Sequence, residues 1–202
     1  MKKIYKIKKF RRINSGFTLV ETMVAISIFS MSLLGILSVL ASGITNTTYA
    51  KEKMVADYLA QEGIEYIRNL RDTFVLYGGS SSQDGWNSFN TKVAGASGNT
   101  VCASGNGCYF DGSNLTNPIT AMNNIAACAQ AKCADHQLLY DSSNGKYDYA
   151  SSGTTTNSGF TRQITASVIN ANETKITSTV YYNQGSNSYN VTFSEYLFNW
   201  VQ

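Results

Sequence analysis

Glu21 is the residue whose position most demands a chemical reason. It is the fifth residue of an apolar run, Phe17 to Ile44, that carries no other charge. A lone carboxylate in such a run is costly unless a partner charge compensates it. Four cysteines form the second candidate set: Cys102 and Cys108 six apart, Cys128 and Cys133 five apart. Structural zinc spacing runs C-x2–4-C; of the C-x5-C and C-x4-C present here only the second falls within it, at its upper limit, and zinc is the less favoured use. Disulfides are the expected use of an even count in an extracytoplasmic, loop-rich region, with free thiols the remaining alternative. Of the three pairings, the local one, Cys102 with Cys108 and Cys128 with Cys133, is preferred. Each bridge would add about 2 kcal/mol by closing a short loop.

The other reactive residue types offer less. His136 is the only histidine. It lies between the cysteine-rich stretch and a strand pattern, with no nucleophile elbow around it, so it is expected at a surface or sheet edge. The stretch Asp141 to Asp148, DSSNGKYD, has acidic ends and a glycine but lacks the alternating carboxylates and distal Glu of a calcium loop. It is expected to be a hairpin turn. No phosphate loop or dinucleotide fingerprint is present. No enzyme activity, cofactor or metal is expected.

The elements that must position these residues begin with charge. Of the 16 Lys and Arg, seven fall in residues 1–16, which hold no acid; the remaining nine face 13 acids, a formal −4. The basic excess therefore belongs to a leader, and no nucleic-acid partner is expected from the body. Basic residues before an apolar run keep the leader cytoplasmic and send the downstream chain outward. As a helix the run rises roughly 42 Å, more than the ~30 Å hydrocarbon core. An ordinary secretory signal ending near Val39-Leu40-Ala41, or a plain anchor, would each leave Glu21 unexplained.

The helical pattern continues. Val55, Leu59, Ile67, Leu70 and Phe74 recur at helical spacing, with Gly63 on the same stripe. Lys51, Glu52, Asp57, Glu62, Glu65, Arg68, Arg71 and Asp72 mark a polar face. One helix from about Phe17 to Asp72 is expected, roughly 84 Å long if unbroken, with weak points at Gly35, Gly43 and Ser42–Thr48. Tyr77–Thr100, rich in Gly, Ser, Asn and Thr, is expected to form loops with short extended pieces, with Trp86, Phe89 and Val93 as burial points. Three period-two strands come next, around 160–168, 176–182 and 189–197, separated by NANET and NQGSN. They predict an antiparallel meander needing a cover on its apolar face. A hairpin turning at Asn144-Gly145 precedes them. The fold class expected is α+β: a long N-terminal helix, apolar then amphipathic, packed on a C-terminal antiparallel sheet. The expected divisions are 1–16, a cleaved leader; 17–44, the apolar half-helix; 45–74, the amphipathic half; and 75–202, the head.

Gly16-Phe17-Thr18-Leu19-Val20-Glu21, behind a basic leader and continuing into ETMVAISIFSMSLLGILSVLASGI, resembles the processing site of type IV prepilins and pseudopilins. The likeness covers residues 11 to about 45 and is greatest to minor pilins of the pilus-modification kind and to one class of minor pseudopilin. It implies cleavage between Gly16 and Phe17 by a prepilin peptidase that also N-methylates Phe17. It further implies that Glu21 meets the Phe17 amine of a neighbouring subunit and sets register during assembly. The implied partners are that peptidase and methyltransferase, other pilin subunits, the assembly platform, and membrane lipid beforehand. The implied location is the cytoplasmic membrane, with the head outside, and then the pilus. Many pilins carry a proline in the apolar half, and this chain has none there. Two alternatives remain: a minor pseudopilin of a type II secretion or DNA-uptake machine, and a membrane-anchored extracytoplasmic binding protein.

Overall fold

The computed structural model describes residues 16–94, 101–103, 105–110 and 123–199. The chain falls into two units, 1–47 and 48–202, which are taken in turn. Most of the expected leader lies outside the described residues.

Helix α1 is assigned over Leu19–Tyr77. In the first unit its side chains are exposed along the whole length, from Leu19 to Ile44. Residues 35–48 are helical throughout, so the weak points at Gly35, Gly43 and Ser42–Thr48 do not melt. Thr45 and Thr47 return their hydroxyls to the carbonyls of Ala41 and Gly43 at 3.1 and 2.8 Å. The hydroxyls that would favour a turn are thereby satisfied within the helix.

In the second unit the same helix has a packed side. Its ten buried residues run from Ala56 to Phe74, and none comes earlier. They meet a seven-stranded antiparallel sheet: β1 (Cys108–Phe110), β2 (Ile125–Ala127), β3 (Gln137–Asp141), β4 (Lys146–Asp148), β5 (Thr155–Asn170), β6 (Glu173–Gln184) and β7 (Asn187–Phe198). β5 is the hub. It pairs with β6 along one edge and with β3 and β1 along the other, while β7 extends β6 and β2 extends β1. The expected meander is therefore present as β5–β6–β7, with tight turns at Ala171-Asn172 and Gly185-Ser186. Gly185 has φ 59°, a left-handed geometry suited to two-residue hairpins.

One stretch departs from expectation. Ser82–Val93 is a helix, α2, rather than loop. Ser81 caps it by accepting the Asp84 N–H at 3.2 Å and donating its hydroxyl to the Asp84 carboxylate at 2.8 Å. The cap offsets the weak helix propensity of Gly, Ser and Asn. Trp86, Phe89 and Val93 fall on one face and are fully buried. Gly85 is required where α2 crosses α1, because a Cβ there would strike the Phe74 carbonyl.

The core has two parts. One gathers Ile64, Ile67, Leu70 and Phe74 of α1 with the α2 aromatics, Ile164, Ile176 and Leu197. The other gathers Ala56, Leu59 and Ala60 with Leu138, Phe160, Val180 and Tyr182. Gly63 sits where α1 comes closest to the sheet; a Cβ there would collide with Ser178 Oγ. Val168, expected on the apolar face, is 44% exposed near the end of β5.

Candidate functional site

The N-terminal segment is built around a helix cap. Gly16, Phe17 and Thr18 precede the helix, and Phe17 is 80% exposed. Thr18 Oγ1 accepts the backbone N–H of Glu21 at 3.2 Å, and the Thr18 carbonyl accepts that of Thr22 at 3.2 Å. Thr18 is thus the cap and Glu21 the third helical residue, in the T-x-x-E spacing of a capping box. The cap has two consequences. The Gly16–Phe17 peptide bond lies in non-helical chain, and nothing crowds Gly16. The Glu21 carboxylate sits in the first turn, where the helix dipole favours negative charge.

Glu21 has no rival in this part of the chain. From Leu19 to Ala50 it is the only charged side chain. Four of the hydroxyls there are satisfied locally: Thr22, Ser27, Ser30 and Ser32 donate to the carbonyls of Leu19, Met23, Ile26 and Ile28 at 2.8 to 2.9 Å. The helix is long and apolar enough to cross a membrane, and none of its most apolar window is buried.

In the head, Cys102 is bonded to Cys108 and Cys128 to Cys133, with Cα separations of 4.7 and 5.1 Å. The first bridge lies in the core, where Cys102 joins the end of α2 to β5: its N–H bonds the Val93 carbonyl and its carbonyl accepts the Ala166 N–H, both at 3.1 Å. The second closes a surface loop in which Lys132 and Cys133 both adopt positive φ, 60° and 53°. Asp135 holds that loop by accepting the N–H groups of Ala129 and Gln130 at 2.9 and 3.2 Å. His136 is half-buried, stacked on Tyr109 at 3.6 Å with its Nδ1 3.0 Å from Asp135.

The Asp141–Asp148 stretch is the β3–β4 hairpin, with Gly145 at φ 72°. Asp141 accepts from Thr154, from the hydroxyl and N–H of Ser143, and from Asn144, at 2.7 to 3.0 Å. These donors, Thr154 foremost, hold its carboxyl below the usual range and occupy the oxygens a cation would need. Among the described residues no group of three or more His, Cys, Asp or Glu is placed to hold a metal.

Two features of the sequence pointed to more than the apolar pattern conveys. Thr18 was legible as a cap from its spacing to Glu21. The gaps in the strand pattern, Arg162, Ser178 and Glu195, are inward-facing polar positions beneath α1. Arg162, 2% exposed, donates to the Leu59 carbonyl at 3.2 Å and to Glu62 at 2.6 Å, and lies 4.1 Å over the Phe110 ring. Glu195 receives Arg68 through two bonds of 2.6 and 2.7 Å. The expected polar face of α1 therefore takes part in the packing, and Arg71 is itself buried.

Residues 11–37 match the model of the prokaryotic N-terminal methylation motif. The match spans the end of the basic leader, Gly16, Phe17, Glu21 and the first turns of α1, and it supports the type IV prepilin-like family. No curated protein and no solved structure matches the chain.

Proposed function

We propose that this chain is a structural subunit of a type IV pilus-like filament, a minor pilin. It is cut between Gly16 and Phe17, methylated on Phe17 and assembled through α1. The observation that carries this reading is the methylation motif over residues 11–37, with its one carboxylate capped into the first turn of an exposed apolar helix. Before assembly the apolar half rests in the cytoplasmic membrane with the head outside. Cleavage leaves a positive amine on Phe17, and methylation keeps it basic. Inside a bundle of such helices neither that amine nor Glu21 has water, so each needs the other, supplied by a neighbouring subunit. The pair fixes the axial position at which one helix stops against the next.

Mass spectrometry of the mature protein tests the processing step. A peptide beginning at methylated Phe17 is expected; a first residue near Ser42 would make the chain a secreted protein and end the filament reading. For assembly, Glu21→Ala is expected to insert in the membrane at wild-type level yet to be lost from sheared filaments. The stranded amine should cost about 3–5 kcal/mol.

A further inference from the structure

The head contains a cleft of about 680 Å³, within the size range of small-ligand sites. Helix α1 contributes Tyr58, Glu62, Glu65 and Asn69, at spacings of four, three and four. The β4 strand contributes Lys146, Tyr147 and Asp148, and Arg162 lies against Phe110 within it. We infer that this cleft binds a neutral oligosaccharide.

Charge decides against ionic ligands. The buried Arg162 is already matched by Glu62 at 2.6 Å, so an anion would have to displace that carboxylate. Glu65 bonds Arg68, and Asp148 accepts the Tyr149 N–H at 2.7 Å, so each acid of the lining already holds a donor that a cation would have to displace. The three acids, Glu62, Glu65 and Asp148, outnumber the two bases, Lys146 and Arg162, which disfavours an anion. What the cleft offers is a balanced set of donors and acceptors: an ammonium and an amide N–H beside carboxylate and amide oxygens. A hydroxyl, which donates and accepts at once, suits such a set better than a group that does only one. The second offer is aromatic. Tyr58 leaves 66% of its surface uncovered, and Tyr147 is half-buried beside it in the lining. Sugar rings bear hydroxyls at their edges and an apolar C–H face, and that combination meets both offers. The lining lies wholly between residues 58 and 162, so the ligand and the fate of the Gly16–Phe17 bond are tested separately.

The test uses the full chain, purified in a sugar-free detergent, on an array of neutral gluco-, galacto-, manno- and N-acetylhexosamine oligomers. The same array carries sialylated and sulfated forms and a set of extended peptides. Retention on at least one neutral oligomer is expected, with Tyr58→Ala and Asn69→Ala each weakening it about tenfold or more. Both side chains are exposed, so unchanged circular dichroism is expected to accompany the loss. Absence of any neutral oligomer among the retained probes would overturn the inference. So would retention of peptides alone, preference for the acidic sugars, or binding that both variants leave intact.

Discussion

The two halves of α1 are one element of backbone and two different surfaces. Residues 19–44 are predominantly apolar on every side, and residues 19–47 bury nothing within the chain; residues 48–77 contribute all ten of the helix's buried positions. The difference shows in how each half treats polar groups. In the first half six hydroxyls, those of Thr22, Ser27, Ser30, Ser32, Thr45 and Thr47, turn back onto their own helix, leaving a largely apolar surface with one carboxylate at its start. In the second half the polar groups reach outward, Glu62 to Arg162 and Arg68 to Glu195, and help seat the helix on the sheet. On the proposed filament reading, a helix that exchanges lipid for other helices gains by keeping its hydrogen bonds internal. A helix fixed permanently on one sheet can use specific ion pairs.

Substitutions of the same kind in the two halves should therefore behave differently. The largest effect is expected for Ile67→Ala, which opens a cavity at a fully buried site and should cost the head about 2–5 kcal/mol in denaturant unfolding. Ile36→Ala, at a site 59% exposed, should leave that unfolding unchanged. An equal loss from both would end the distinction between the halves.

Glycines sharpen it. Gly63→Ala should destabilise the head by about 1–3 kcal/mol, because the new methyl meets Ser178 and Arg162 and overpacks the contact. Gly35→Ala meets nothing within 4 Å and should instead favour the helix by about 1 kcal/mol, read as helicity of the full chain in micelles.

Replacing Cys128 and Cys133 together by Ser should cost the head about 2 kcal/mol, and reducing agent should cost at least as much, because it acts on Cys102–Cys108 as well. The apolar half of α1 should be indifferent to both. The smallest effect concerns acid. The Asp141 carboxyl is held low in the folded state by Thr154, Ser143 and Asn144. Its contribution is thus present above the unfolded carboxylate value of about 3.9 and is lost as pH falls through the lower folded value. Protection factors in β3 and β4, which allow for the slower intrinsic exchange in acid, should fall as pH drops through that value, and Asp141→Asn should show the lower protection already at neutral pH.

Much of the architecture was legible because it rests on period. Apolar spacing of three and four marked α1, and alternation marked β5, β6 and β7. α2 was missed because Gly, Ser and Asn outweigh its three apolar residues in any count of propensity. Yet Trp86, Phe89 and Val93 stand three and four apart, and Ser81 stands three before Asp84, so the face and the cap were both written there. Arg162 and Glu195 were passed over as gaps in strands, since alternation records where apolar residues fall and not what fills the remaining inward places.

The sequence by itself determined what depends on neighbours along the chain: the basic stretch, the methylation-type motif, the unbroken apolar run and the hairpin turns. Only the tertiary structure decided which inward positions could be charged. A guanidinium beneath a helix is tolerable only if a carboxylate one hundred residues away reaches it, as Glu62 reaches Arg162. Local pattern cannot show that pairing, because the desolvation cost and its compensation come from opposite ends of the chain. The same holds for Gly63 and Gly85. Their lack of a side chain has meaning only where another element passes close enough to exclude one.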